Sequence, residues 1–223
     1  MIKPYYDHNG ITIYHGDCLE IMPELEPVDL VLTDPPYGIN IVKIGGTKAF
    51  GKIGGTNWIE PKEYLPVHGD DKPFDPTPFL DYPEVMFFGG NYFSSKLPNS
   101  SCWLVWDKDN TGNFADCELV WTNLRGAIRK FKHRWNGCLK EFPEFRYHPT
   151  QKPLRLMKWC IEQSKTTGII LDPFMGSGTT LVAAKELDRK AIGIEIEEKY
   201  CEIAVDRLKQ EILPLKQAGQ GGR

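Results

Sequence analysis

Gly168-Ile169-Ile170-Leu171-Asp172-Pro173-Phe174-Met175-Gly176-Ser177-Gly178-Thr179-Thr180 runs from an apolar stretch through an acid, a proline and two glycines into a segment with helical spacing. Residues 168–171 read as a buried strand and Thr179 to Leu187 as a helix. A glycine turn between strand and helix points backbone N–H groups outward and lets a ligand come close to the main chain. It is not a P-loop, because a threonine follows Gly178 where that motif needs a lysine. Nor is it a full GxGxxG fingerprint, since the third glycine is absent.

The neighbouring segments extend the same alternation. Ala191 to Ile194 reads as a strand ended by Glu195, and Glu197 to Leu213 as a helix with Tyr200, Ala204, Val205 and Leu208 on its apolar face. An acid at position 195 is placed to bind a ribose diol, or to stabilise the positive end of the helix that follows. Pro153 opens a further helix running to Ser164. Toward the N-terminus, Ile11 to Tyr14 is a short strand, Cys18 to Met22 a helical turn, and Val28 to Thr33 a strand apolar on both faces. Val85 to Phe88 and Cys102 to Trp106 are further strands, with weaker candidates at Cys117 to Trp121 and Ile128 to Phe131. Strands separated by helices predict an α/β fold with a mostly parallel sheet and helices on both faces. The expected organisation is one domain over residues 1–215, with halves at about 11–136 and 148–213. A glycine-rich loop is expected at 38–58 and a tail without order at 216–223.

A second stretch carries chemistry. Val31-Leu32-Thr33-Asp34-Pro35-Pro36-Tyr37 sets a carboxylate, a stiffened backbone and an aromatic plane at the end of an apolar strand. The two prolines fix φ and remove donors, so the carbonyls there act as acceptors. On pattern alone it is equally a strand followed by a turn.

Composition narrows the classes. No apolar run is long enough to span a membrane, and the first residues do not form a signal peptide. The six cysteines include no CxxC pair, which points to free thiols in a reducing, cytoplasmic compartment and away from a metal site. A net charge of −3 argues against a chain coated in positive field but leaves room for local basic patches. Two such patches stand out: Lys43, Lys48 and Lys52 in the glycine-rich segment, and Arg125, Arg129, Lys130, Lys132 and Arg134 with Phe131 and Trp135 among them. A basic run is usually a solvated face; aromatic interleaving favours a nucleic-acid edge.

Taken together, His15-Gly16-Asp17-Cys18, Asp34-Pro35-Pro36-Tyr37, His148-Pro149-Thr150-Gln151-Lys152-Pro153, the 172–180 turn and Gly193-Ile194-Glu195 resemble the S-adenosylmethionine-dependent DNA amino-methyltransferases. The order resembles the permuted, beta-type arrangement, in which the catalytic residues precede the cofactor turn. The matching pieces reach over about residues 11–208.

The resemblance implies a Rossmann-like, seven-stranded methyltransferase sheet with a reversed strand near one edge. By it, Asp172, Gly176, Ser177, Gly178 and Thr179 hold the methionine part of S-adenosylmethionine, Phe174 lies beside the cofactor, and Glu195 takes the ribose hydroxyls. Asp17 and Cys18 flank the adenine, Thr150, Gln151, Lys152 and Pro153 close the other side, and Asp34 borders both cofactor and target.

Asp34 and the Pro35 carbonyl accept the two hydrogens of an exocyclic amine, and Tyr37 stacks on a flipped base opposite Phe88 or Trp106. By the same resemblance, aspartate at the first position of the tetrapeptide implies adenine N6 in preference to cytosine N4. Carbon-5 methylation is disfavoured because no Pro-Cys dipeptide is present. The alternatives are an N4-cytosine enzyme, an RNA or protein-amide methyltransferase, a non-catalytic nucleic-acid-binding module, and a nucleotide-dependent oxidoreductase. The expected partner is double-stranded DNA, met by a monomer or homodimer. Only Gly137 to Tyr147 separates Trp135-Asn136 from His148, so no separate recognition domain is expected. Sequence reading would fall to the 38–56 loop, the 111–135 region, an accessory protein or a second copy of the chain.

Overall fold

A computed structural model describes residues 2–40, 67–109, 115–136, 139–140, 146–148 and 150–210. The expectations on Lys43, Lys48, Lys52, Pro149, most of the 38–58 segment and the 216–223 tail lie outside these residues.

Eleven strands are present among the described residues: β1 Tyr6–His8, β2 Ile11–His15, β3 Leu30–Thr33, β4 Glu84–Phe88, β5 Trp103–Asp107, β6 Cys117–Thr122, β7 Arg129–Lys132, β8 Trp135–Asn136, β9 Leu139–Lys140, β10 Ile170–Asp172 and β11 Ala191–Glu195. The helices are α1 Cys18–Ile21, α2 Leu154–Gln163, α3 Thr179–Glu186 and α4 Glu198–Lys209. Nine strands form one sheet in the order β1-β2-β11-β10-β3-β4-β6-β5-β7, and β8 pairs with β9 apart from it. β6 runs antiparallel to both β4 and β5, and β1 antiparallel to β2; every other pairing in the large sheet is parallel. The expected mostly parallel α/β sheet with its reversed strand is therefore present, with β1 and β7 added at the two edges. Both edge strands are short and largely polar, and β1 has no apolar run to announce it.

Alternation along the strands builds two cores. Ile11, Ile13, Leu30, Leu32, Met86, Phe88, Leu104 and Trp106 face α2, α3 and α4. Val31, Val85, Phe87, Leu171, Ile192 and Ile194 face the other side, over α1 and an aromatic cluster of Phe74, Phe79, Phe93 and Trp121. The central strands β3 and β4 are buried on both faces, which explains their uninterrupted apolar sequence.

Two glycines set element ends that matter for the site. Gly178 caps α3 in the left-handed region at φ +76°, and a Cβ there would meet the Cβ of Ala204 on α4 at 2.7 Å. Gly89 follows β4 at φ +66°, and a Cβ there would lie 2.2 Å from the Tyr37 ring. Both positions require glycine for backbone conformation and for close approach.

Candidate active site

The carboxyl ends of β3, β10, β11 and β2 open on one cavity of about 1090 Å³, where ligands bind in open α/β sheets. It is lined by Asp17, Cys18, Phe174, Gly176 and Glu195 at one end and by Asp34, Pro35, Tyr37, Trp106, Glu118 and Trp135 at the other. That volume is at or above the upper end for a single small-molecule site, roughly 300–1,000 Å³.

The glycine turn is held by its own acid. Asp172 is buried and accepts from the Thr33 hydroxyl at 2.7 Å, from the Thr180 hydroxyl, and from the Phe174 amide at 3.2 Å. Burial raises its carboxyl to about 6 against the lowering effect of these hydrogen bonds. Asp172 thus ties β3 to α3 and shapes the turn, and it also lines the cavity.

Gly176 takes a positive φ of +51°, and its N–H donates to Glu195 Oε2 at 2.9 Å. Glu195 Oε1 accepts the Glu197 N–H at 2.9 Å, just before α4. The acid stabilises a helix start, as one of its two readings has it, and it also lines the cavity. Burial lifts its carboxyl to about 7.

Ser177 and Thr179 are fixed from α4 by buried Arg207. Its guanidinium donates to the Ser177 carbonyl at 2.6 Å, to Ser177 Oγ at 3.2 Å and to Thr179 Oγ1 at 3.0 Å. Nothing in the chain's local pattern marks Arg207 for this task, since it sits among ordinary charged helix residues. Phe174 packs at 5.7 Å from both Phe74 and Phe79, so it is part of an aromatic cluster and also lines the cavity.

Asp17, Cys18, Thr150, Gln151 and Lys152 also line the cavity, and each has a structural setting of its own. Asp17 caps α1 by accepting the Leu19 N–H at 2.8 Å, and Cys18 is buried with its thiol pushed up to about 12 by desolvation, so it acts as a neutral wall. Gln151 accepts from the Tyr147 amide at 2.8 Å and from Ser177 Oγ at 3.3 Å, bracing the turn. Thr150 donates its amide to His148 Nδ1 at 3.3 Å; burial, then Lys152 and Arg146, lower that imidazole to about 4, so it is neutral. Pro153 does not line the cavity: it is the N-cap residue of α2, and its carbonyl accepts from Leu156 and Met157. Gly178 is likewise absent from the cavity wall and serves α3–α4 packing.

Lys152 is buried, and its ammonium turns toward the tetrapeptide. Nζ lies 2.6 Å from Asp34 Oδ2 and 2.9 Å from Glu118 Oε1. Glu118 Oε2 pairs with Lys108 at 2.9 Å. The Tyr37 hydroxyl reaches both acids, bonding Asp34 Oδ1 and lying 3.1 Å from Glu118 Oε1. Burial and then Glu118 raise the Asp34 carboxyl, against Lys152. Burial acts the same way on Glu118, but Lys152 and Lys108 hold it down at about 2. The cluster has two carboxylates and two ammoniums and is balanced in charge.

Of the two rings expected to face a base on Tyr37, Phe88 is fully buried and Trp106 lines the cavity. The ring parallel to Tyr37 is Tyr92, at 4.8 Å between centroids and 14° between planes. Asp70 closes the loop beyond, accepting the Gly38 and Ile39 amides at 2.9 and 3.1 Å. Glu118, Lys108, Tyr92 and Asp70 were missed by sequence reading because each is joined to the tetrapeptide only through the fold.

The second basic patch lies on and around β7, where Arg125, Arg129, Lys130, Lys132 and Arg134 are exposed. Parallel pairing with β5 lays acids beside it: Lys130 pairs with Asp107 at 3.1 Å, and Lys132 and Arg134 pair with Asp109 at 2.8 and 2.7 Å. The run is free of acids in sequence but not in space.

Similarity to known proteins agrees with this architecture. Residues 91–206 match the N6/N4 DNA methylase family. The type II methyltransferase M.ScaI of Streptomyces caespitosus is 29% identical, covering 94% of this chain and 84% of the relative. The DNA adenine methyltransferase YhdJ of Escherichia coli is 30% identical, covering 91% and 84%. Among solved structures, M1.HpyAVI in complex with SAM is 27% identical with a TM-score of 0.55, covering 88% of this chain and 99% of that one. With the tetrapeptide and the glycine turn opening on a single cavity and relatives aligned along nearly the whole length, the chain belongs to the N6/N4 DNA methylase family.

Proposed function

We propose that this protein transfers the methyl group of S-adenosylmethionine to the N6 amine of an adenine flipped out of double-stranded DNA. The carrying observation is the continuity of one cavity from the glycine turn and Glu195 to Asp34 and Tyr37. It is large enough for a cofactor and a base together.

The residues present suit the cofactor. A Cβ at Gly176 would meet only the His148 ring, at 3.6 Å, so the turn leaves a cradle beside its backbone. Glu195 keeps acceptor capacity for hydroxyls beyond its two amide partners. Cys18, Phe174 and Ile196 supply apolar wall. Glu195, Phe174, Gly176, Ser177, Thr179, Asp17 and Cys18 would hold it, and when bound it supplies a methyl group activated by a sulfonium.

Asp34 and the Pro35 carbonyl accept the amine hydrogens and favour the nitrogen as it rehybridises and gains positive charge. That interaction is stronger in the transition state than before it. Asp34 can keep the Lys152 ammonium on Oδ2 while an incoming N–H takes the place of the Tyr37 hydroxyl on Oδ1. Tyr37 offers its ring to the flipped base once the Tyr92 ring moves aside; Tyr92 is half exposed on a short 3-10 turn. The name of the Escherichia coli relative and the aspartate at position 34 both favour adenine.

The test is tritiated methyl transfer to unmethylated duplex DNA followed by nucleoside analysis. N6-methyladenine is the expected product. Label found only in N4-methylcytosine would overturn the choice of base, and absence of DNA labelling despite tight cofactor binding would overturn the activity.

A further inference from the structure

Glu118 is partly buried, and nothing in the reaction so far explains its placement. It comes from the reversed strand β6, and both of its oxygens are engaged in the site: Oε1 meets the Lys152 ammonium and the Tyr37 hydroxyl, and Oε2 meets Lys108. The Lys152 ammonium and the Tyr37 hydroxyl are each also held by Asp34. Asp34 and Glu118 therefore share two donors, and a phenol has a single hydrogen to divide between them. When an amine hydrogen takes the place of the phenol on Asp34, that phenol needs another acceptor, because a buried donor left unpaired costs about 1–3 kcal/mol. Glu118 Oε1, at 3.1 Å, is already in position.

Resting on the methyl-transfer reading above, we infer that Glu118 is a positioning residue that takes over the Tyr37 hydroxyl and keeps the Lys152 ammonium in register while Asp34 turns to the target amine. Lys108 fixes Glu118 from its far side, so the carboxylate is anchored before the base arrives. The groups facing Asp34 are Tyr37 from its own loop, Lys152 from the start of α2, Glu118 from β6 and Asp172 from β10. Glu118 stays ionised throughout, consistent with the two ammoniums that hold it down, whereas burial and the Glu118 charge raise the Asp34 carboxyl against Lys152.

The decisive variant is Glu118→Gln, with Glu118→Asp measured alongside in case the amide does not fold. Carboxyl-carbon NMR of Asp34, taken on cofactor-loaded protein without DNA, is expected to move its titration to lower pH. Loss of a neighbouring negative charge has that effect, and loss of packing does not. In DNA methylation assays kcat is expected to fall about 10- to 100-fold, the usual effect of losing a partner that orients a reacting group. Cofactor Kd is expected to stay within a few-fold. Combined with Tyr37→Phe, the loss should be close to that of the worse single variant, because both act through one hydroxyl. An unmoved Asp34 titration together with multiplicative losses in that cycle overturns the proposal. A wild-type protein that labels no DNA while the Asp34 titration still moves supports the shared-donor arrangement and overturns the methyl-transfer reading instead.

Discussion

At the scale of single residues, the site divides work among acids that look alike in sequence. Asp172 accepts from Thr33, Thr180 and the Phe174 amide, Glu195 bridges two amides at the cavity wall, and Asp34 accepts from Tyr37 and Lys152. The consequence for Asp34→Ala is specific. Methyl transfer should fall by at least about 100- to 1000-fold, the range seen when one transition-state hydrogen-bonding partner is removed. Cofactor affinity by calorimetry should stay within a few-fold, and a large loss would place Asp34 in the cofactor site instead. The fold should survive, since Lys152 keeps Glu118 as a counter-ion and is not left as an uncompensated buried charge. The aspartate and tyrosine of the tetrapeptide were legible because four adjacent residues carry complementary chemistry. Glu118 was not, because its contact with Tyr37 spans 81 residues and no local pattern foretells it.

At the scale of elements, the strand–turn–helix unit around residues 170–186 depends on how closely α3 and α4 approach. Gly178 is a helix cap with no room for a side chain on the α4 side. Gly178→Ala should destabilise the protein by about 2–4 kcal/mol, combining the left-handed backbone cost of ~1–2 kcal/mol with overpacking against Ala204. Urea denaturation at constant m-value checks this, and a loss below ~1 kcal/mol would mean that α4 gives way easily. Helices α2, α3 and α4 and the buried strands were legible from apolar periodicity, and their ends agree with the sequence reading to within a few residues. β1, β8 and β9 were not, being only two or three residues long and defined by pairing rather than by composition. The basic run around β7 shows the same limit. Its ion pairs with Asp107 and Asp109 arise from the parallel register with β5. DNA binding is accordingly expected to depend only modestly on salt, with a log–log slope shallower than about −5. Titration of duplex affinity between low and moderate salt measures it, and a steeper slope would require more phosphate contacts than this face offers.

At the scale of the whole molecule, burying acids around one cavity couples stability to pH in an unusual direction. Burial raises Glu195 to about 7 from 4.5 and Asp172 to about 6 from 3.8. A raised carboxyl pKa means that the folded state binds the proton more tightly than the unfolded chain does. The stability these two groups contribute is full below their unfolded values and is lost as pH rises through about 6 and 7. The melting temperature of cofactor-free protein should therefore show a declining component between pH 4.5 and about 7, and Glu195→Gln should flatten its upper part. Cofactor affinity should run the opposite way, weakening below about pH 7 as Glu195 takes a proton and loses acceptor capacity. Calorimetry across that range measures it, and a flat profile would remove Glu195 from ribose binding.

The α/β alternation, the glycine turn, the acid that follows the next strand and the Asp-Pro-Pro-Tyr acceptor are legible in the chain alone, because each is a local arrangement of residues a few positions apart. That Lys152 faces Asp34, that Glu118 shares its donors, that Tyr92 lies on Tyr37 and that Arg207 holds the turn follow from the folded arrangement. Those contacts join residues far apart in the chain, and it is the order of strands in the sheet, with β6 reversed beside β4, that brings them to one cavity.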